Sequence, residues 1–145
     1  MMKKFAFVMA AMLALGGAVQ AADTIDPIAT RQTALDLLAG TFQGIRGVVA
    51  GKGDVKTLEN PGKAVARWGE LMPSLFPDGS DKGATKAAPA IWSDHAGFLK
   101  AAATLSASGT ALATAAKAGD VAGVETAVKA MGDACGACHK DYRLK

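Results

Sequence analysis

Two cysteines and a histidine near the C-terminus carry the most specific chemistry in this sequence. Residues 135–139 read Cys-Gly-Ala-Cys-His, and Cys135 and Cys138 are the only cysteines in the chain. C-x-x-C-H is the attachment sequence of c-type haem. Thiols three residues apart lie on one side of a helix, where each can form a thioether with a haem vinyl group. His139, one turn after Cys135, can then bind the iron as its proximal ligand.

Two other uses of the C-x-x-C pair predict a different setting. A redox-active pair is expected at the N-terminus of a helix that follows a strand, where the helix dipole lowers the thiol pKa. Here the motif closes a long helical pattern, and no strand pattern precedes it. A structural zinc site needs about four ligands, and the only other histidine, His95, is distant in sequence from the pair. The motif therefore predicts one covalently bound haem c.

The N-terminus has the pattern of a secretory signal peptide over residues 1–21. Lys3 and Lys4 precede an apolar run, and Val19-Gln20-Ala21 forms a small-residue cleavage site. A membrane anchor is the alternative, but the apolar run is shorter than the ~20 residues that span a bilayer. We expect export to the periplasm, a mature domain of residues 22–145, and no membrane insertion after cleavage. Export agrees with the motif, because c-type haem is attached outside the bacterial cytoplasm.

The composition of residues 22–145 predicts one small domain. Lys3 and Lys4 supply two of the three net positive charges of the whole sequence, so the mature chain carries only +1. No basic patch interleaved with aromatic residues is present, and nucleic acid is not an expected partner. The length is sufficient for a single domain with its own apolar core.

Apolar residues recur at helical spacing in two segments of the first half. Asp26 and Pro27 form a cap followed by proline at the first helical position, and Gly51-Lys52-Gly53 ends this helix. A second helix begins at Asp54 or at Asn60, a choice that the sequence leaves open, and ends at Met72, before Pro73. The apolar stripe of the first helix comprises Ile28, Leu35, Leu38, Phe42, Ile45 and Val49.

Two further helical segments follow an irregular stretch that ends near Ala88. The third helix begins near Pro89 and ends with Gly119 as its C-terminal cap, and Asp120 caps the fourth. The stripe of the fourth helix comprises Val121, Val124, Val128, Met131, Cys135, Cys138 and Tyr142. Short connections within each pair of helices predict antiparallel neighbours. The expected fold is all-α: an antiparallel four-helix bundle with haem covalently attached to its C-terminal helix.

Four blocks of this sequence resemble cytochrome c′, a family of periplasmic haem proteins of proteobacteria. They are Arg31-Gln32-Thr33-Ala34-Leu35, the loop segment Phe76-Pro77-Asp78-Gly79-Ser80, residues 85–94, and the C-x-x-C-H-x-x-Y-R segment 135–143. The resemblance implies a five-coordinate, largely high-spin haem with no protein ligand on its distal face. It also implies binding of NO and CO, electron transfer with a redox partner protein, and a homodimer built through the first two helices.

The resemblance assigns roles to the first helix. Leu35 corresponds to the position that faces the iron, where low-spin relatives have a methionine, and the first helix here contains none. An apolar distal face disfavours O₂, which develops negative charge when bound, more than it disfavours NO or CO. Arg31 and Gln32 correspond to the arginine and glutamine that contact the haem. Arg31 falls on the apolar stripe, where a buried guanidinium needs a partner such as a haem propionate; a surface arginine is the alternative.

Other site residues are expected from the loop and the C-terminus. Thr85 and Lys86 approach the haem edge through the loop, although the family's glutamate before Ile-Trp is Ala90 here. Arg143 corresponds to an arginine beside the proximal His139, with a solvated C-terminal arginine as the alternative.

Two competing functions lead to different expectations. With His95 or another residue as a sixth ligand, the protein would be a low-spin electron carrier instead of a gas-binding protein. An enzyme such as a peroxidase needs polar distal groups, and Leu35 supplies none. We therefore expect a haem protein that is not an enzyme.

Overall fold

The computed structural model describes residues 25–145, where the regular structure is helical. The helices are α1 (Pro27–Ala50), α2 (Glu59–Leu71), the short α3 (Ala90–Ser93), α4 (His95–Ala118) and α5 (Val121–Tyr142). Helices α1, α2, α4 and α5 form the expected antiparallel four-helix bundle, which confirms the predicted fold class. Across the described residues, none of these helices is both long enough and apolar enough to cross a membrane. The predicted signal peptide, residues 1–21, lies outside the described residues.

The predicted N-terminal caps of α1 and α5 are present. The Asp26 carboxylate accepts a hydrogen bond from the Ile28 N–H at 2.8 Å, and Pro27 opens α1. The Asp120 carboxylate accepts from the Gly123 N–H at 3.0 Å at the start of α5. Side-chain oxygens of this kind satisfy the free N–H groups of a first helical turn. The sequence therefore predicted where α1 and α5 begin.

Helical structure begins near both candidate starts of the second helix, first as a 3₁₀ turn and then as α2. Asp54 caps a 3₁₀ turn, Val55–Leu58, and α2 itself begins at Glu59. Pro61 lies in the first turn of α2, where a missing N–H breaks no intrahelical hydrogen bond. At the other end α2 stops at Leu71, and the chain continues through a second 3₁₀ turn, Met72–Leu75.

The predicted third helix is interrupted. Helical structure begins just after Pro89, as expected, but Asp94 breaks it with φ −120° and ψ 55°. Its carboxylate accepts a hydrogen bond from the Gly97 N–H at 3.2 Å and so caps α4. The predicted single helix is therefore wrong in this detail, and Asp94 divides it into α3 and α4.

Helices α2 and α4 pack with their backbones in contact. An added Cβ at Gly62 would lie 2.6 Å from the Ala113 nitrogen, and one at Gly69 would lie 2.6 Å from the Ser106 nitrogen. Such distances are shorter than any van der Waals contact, so only glycine fits at these two positions. The large apolar side chains of α4 are buried in the adjoining core: Phe98, Leu105 and Leu112.

Helix α1 is much less buried than its stripe predicts. Only Arg31 and Ile45 of this helix are buried, and the other stripe residues, Leu35 among them, are half-buried. On α5, Val121 is 56% exposed, so its predicted place on the apolar stripe is wrong. The half-buried side chains of α1 face a cavity between α1, α4 and α5.

Candidate functional site

All nine residues that the sequence singled out as site residues line one cavity of about 660 Å³. They are Arg31, Gln32, Leu35, Thr85, Lys86, Cys135, Cys138, His139 and Arg143. The cavity lies between α1, α4 and α5, and the segment before α3 covers one side of it. Its volume falls within the range of roughly 300–1,000 Å³ that is typical of ligand and cofactor sites.

The two cysteines lie half-buried on the cavity side of α5. Burial raises the pKa of both thiols. A redox-active pair has the opposite property, because it requires a stabilised thiolate. Among residues 25–145, no three His, Cys, Asp or Glu side chains are grouped so that they could hold a metal ion. The environment of the two thiols is therefore suited to contact with an apolar group, and not to redox or metal chemistry of the free cysteines.

His139 lies on the same turn of α5 and is partly exposed to solvent. Burial lowers its pKa, and the nearby Arg143 cation lowers it further. Both effects favour the neutral imidazole, which is the form that binds metals. Arg143 follows at the C-terminal end of α5, four residues after His139, and its role beside the iron ligand stays a prediction.

Arg31 is 2% exposed, which excludes the surface alternative for this side chain. Its Nη2 donates to the Ser80 carbonyl at 2.6 Å and to the Thr85 hydroxyl at 2.8 Å. Its Nη1 donates to the Ser80 hydroxyl at 2.8 Å, with a longer contact of 3.4 Å to the Leu75 carbonyl. The guanidinium also lies 4.8 Å from the centre of the Phe76 ring. No described carboxylate is paired with Arg31, so the buried charge is held by neutral dipoles and an aromatic face.

The remaining polar site residues join the cavity wall through the backbone. Gln32 donates from Nε2 to the Ala84 carbonyl at 2.8 Å, which holds the loop against α1. The Lys86 carbonyl accepts from the Leu144 N–H at 2.8 Å, beside a β-bridge between Ala87 and Arg143. Lys86 and Arg143 are therefore neighbours, and both are exposed where the cavity meets solvent.

Most of the cavity wall is apolar, and the sequence did not identify that part of it. Besides Leu35, the wall includes Leu38, Phe42, Met72, Phe76, Ile91, Phe98, Leu105 and Tyr142. Several of these lie on the predicted stripes, but helical periodicity does not distinguish a residue that faces a cavity from one that faces a filled core. Their shared position could be predicted only once the relative placement of the helices was known.

His95 is exposed and does not line the cavity. It is the first residue of α4, and the centre of its ring lies 6.5 Å from that of Phe98. This position does not support His95 as the sixth ligand of the alternative function.

The cavity residues fit a haem c. Two cysteines and a histidine in C-x-x-C-H spacing lie on one wall, apolar side chains form most of the remainder, and cationic side chains lie at the opening. A haem presents an apolar macrocycle, two vinyl groups and two carboxylates, so each part of the lining has a chemical counterpart. Fold and site together define a c-type haem protein built on a four-helix bundle.

Comparison with known proteins identifies the family. The model of the family described as Cytochrome C′ matches residues 26–143. The cytochrome c′ of Rubrivivax gelatinosus is 37% identical over 123 residues, which cover 83% of this chain and 95% of the relative. A cytochrome c-556 of Agrobacterium fabrum is 33% identical over 131 residues, which cover 89% of this chain and 86% of that protein. The chain belongs to the cytochrome c′ family, whose members carry covalently bound haem c.

Solved structures of relatives share the fold. The cytochrome c′ structure from Thermochromatium tepidum matches with a TM-score of 0.77 at 29% identity, covering 86% of this chain and all of that one. The Rubrivivax gelatinosus structure matches with a TM-score of 0.72, covering 81% of this chain and 94% of the other at 37% identity. A ferrous variant of the Alcaligenes xylosoxidans protein with bound NO matches with a TM-score of 0.73 at 30% identity, with coverage of 82% and 94%.

Proposed function

We propose that this protein is a periplasmic haem c protein with five-coordinate, largely high-spin iron, which transfers electrons and binds NO and CO on an apolar distal face. The observation that carries the proposal is the cavity itself, which joins the C-x-x-C-H wall of α5 to an apolar wall that includes Leu35. NO is bound in the related Alcaligenes xylosoxidans structure. We assign no enzymatic activity to the cavity.

The α5 residues have separate roles in this proposal. Cys135 and Cys138 would hold the haem through two thioether bonds, and His139 would be its protein ligand to iron. Haem c would supply one-electron redox chemistry and binding of diatomic gases when bound. The C-x-x-C-H spacing fixes all three side chains on one helix, so α5 alone would supply the protein groups that hold the haem.

Residues of α1 and of the loop orient the cofactor and exclude water. Leu35 crowds the distal side without coordinating iron, because its side chain has no donor atom. Arg31 and Gln32 fix the loop that carries Thr85 and Lys86. The bond from Arg31 to a propionate stays a prediction, and its Nε–H is the one guanidinium donor group that forms no hydrogen bond with residues 25–145.

The alternative function needs a sixth iron ligand, which must come from a side chain that lines the cavity. His95 is exposed and outside the cavity. Met72 is 5% exposed and lines the cavity wall, and a thioether can bind haem iron. Met72 is therefore the side chain that would convert the protein into the alternative, a low-spin electron carrier.

Absorption and resonance Raman spectra of the ferric and ferrous protein test the proposal. We expect wild type, His95→Ala and Met72→Leu to share the same high-spin, five-coordinate markers at neutral pH. Met131→Leu is the matched control, since Met131 is buried at 1% exposure but does not line the cavity. A low-spin wild type that becomes high-spin only on loss of Met72, or only on loss of His95, would replace gas binding with simple electron transfer.

The proposal also includes a homodimer formed through the first two helices. Val48 of α1 and Trp68 of α2 are half-buried against the monomer core. The outer face of α1 is more open: an added Cβ at Gly40, Gly44 or Gly47 would meet no atom within 4 Å. Sedimentation equilibrium of the mature holoprotein should give twice the monomer mass, and a monomer mass at micromolar concentration would contradict the dimer.

A further inference from the structure

Asp94 forms two hydrogen bonds at the break between α3 and α4. Its Oδ1 accepts from the Gly97 N–H at 3.2 Å, which caps α4. Its Oδ2 accepts from the Tyr142 hydroxyl at 2.9 Å. Tyr142 is the last residue of α5, so the two bonds fasten the C-terminal end of α5 to the N-terminal end of α4. We call this arrangement of Asp94, Gly97 and Tyr142 the aspartate clasp.

The clasp leaves no room for a side chain at Gly97. An added Cβ there would collide with the Asp94 carboxylate and with the Tyr142 hydroxyl. The Tyr142 ring is seated against Phe98, with 5.4 Å between ring centres and an edge-on angle of 64°. The Tyr142 carbonyl also accepts from the Ala88 N–H at 3.0 Å. Both ends of Tyr142 are therefore fixed, the backbone by the loop and the hydroxyl by Asp94.

Tyr142 is three residues after His139 and four after Cys138, on the same side of α5 as the cavity. Side chains at these spacings are neighbours on a helix surface. The turn of α5 that carries His139 is also its last turn, and helix ends fray when nothing holds them. A contact that immobilises Tyr142 therefore limits movement of the imidazole toward or away from the cavity.

We propose that Asp94 is a positioning residue for the iron ligand: through the Tyr142 hydroxyl it holds the last turn of α5 and thereby sets the placement of His139. In this role Asp94 acts on His139 only through its hydrogen bond with Tyr142. The inference rests on the proposed function, in which His139 is the proximal ligand.

The chain provides a matched control for the clasp. Asp120 caps α5 through the Gly123 N–H at 3.0 Å, and an added Cβ at Gly123 would collide with the Asp120 carboxylate, as at Gly97. The two sites share the same Asp-x-x-Gly cap, but no tyrosine bonds Asp120. Asp120→Ala therefore removes an equivalent cap at the opposite end of the helix that carries His139.

The test is the iron–histidine stretching band of the ferrous holoprotein in resonance Raman spectra. Tyr142→Phe keeps the ring and removes only the hydroxyl, so it leaves the packing against Phe98 in place. We expect Tyr142→Phe and Asp94→Ala each to shift and broaden the band, and the double variant to show no more than the larger single effect, since both remove one bond. Asp94→Asn retains an acceptor oxygen and should restore most of the wild-type band.

Two results would overturn the positioning role. One is a wild-type band in folded Tyr142→Phe holoprotein, which remains decisive even if Asp94→Ala does not fold. The other is an equal change in Asp120→Ala, which would assign the effect to general loss of helix stability. A ferrous wild type that shows no iron–histidine band would instead contradict His139 as the ligand, and with it the proposed function on which the inference rests.

Discussion

The two sides of this bundle use glycine in opposite ways. Between α2 and α4, an added Cβ at Gly62 or Gly69 would lie 2.6 Å from the backbone of the facing helix. On α1, Gly40 and Gly44 have no neighbouring atom within 4 Å of the same position. The first pair lets the backbones of the two helices touch. The α1 glycines lie on the outer face, and the inner face carries the larger side chains that line the cavity.

This difference shows how one small bundle can be both stable and open. The close α2–α4 contact and the core around Leu112 and Val124, each 0% exposed, give the chain a dense half. On the other side, α1 is held by Ile45 at one end and by the buried hydrogen bonds of Arg31 at the other. The middle of α1 is therefore separated from α5, and the cavity lies in the space between them.

The largest effect should come from filling the close contact. Gly69→Ala places a methyl group 2.6 Å from the Ser106 nitrogen and 2.8 Å from the Ala102 carbonyl oxygen. Because both neighbours are backbone atoms, the helices themselves must separate, and we expect a loss of about 3 kcal/mol in the free energy of unfolding, the upper part of the range for overpacking. Guanidinium unfolding of the wild-type and variant holoproteins, at one fixed protein concentration, measures this difference in the free energy of unfolding.

The control for that substitution is Gly136→Ala. Gly136 is also in the interior of a helix, but an added Cβ there meets nothing within 4 Å. Alanine should therefore stabilise the protein by roughly 0.5–1 kcal/mol through its better helix propensity. If Gly69→Ala did not lower the free energy of unfolding relative to wild type, the backbone contact between α2 and α4 would not exist in solution.

The sequence was sufficient to predict the elements with local signals. Asp26, Asp120 and Gly119 mark helix ends by caps that depend only on neighbouring residues. The cap that Asp94 forms with the Gly97 N–H is equally local and was missed, whereas the bond from Tyr142, 48 positions away, could not be predicted from neighbouring residues. Tyr142 itself was expected only to pack, and the structure adds its hydroxyl bond to Asp94.

The site was predictable to the extent that a motif or a resemblance named its residues. The C-x-x-C-H segment and the blocks around Arg31 and Thr85 all converge on one cavity. Met72 and Phe98 could not be assigned to it, because an apolar residue at helical spacing has the same pattern in a core and in a cavity wall. The partners of Arg31 were also missed, since Ser80 carries no charge and lies 49 positions along the chain.

A smaller loss of stability than that of Gly69→Ala should come from the open side, where Leu35→Ala enlarges a space that already exists. Leu→Ala costs roughly 2–5 kcal/mol in a filled core, but Leu35 is half-buried on the cavity wall, so we expect about 1 kcal/mol. The measurable effect is instead on ligand access: CO should bind the ferrous protein faster, because the side chain that crowds the distal face is gone. Leu37→Ala is the control on the same helix, since Leu37 is 69% exposed and does not line the cavity. Equal CO association rates for wild type and both variants, with the fold intact, would place Leu35 away from the ligand path and make the open side of the bundle no more than a loosely packed core.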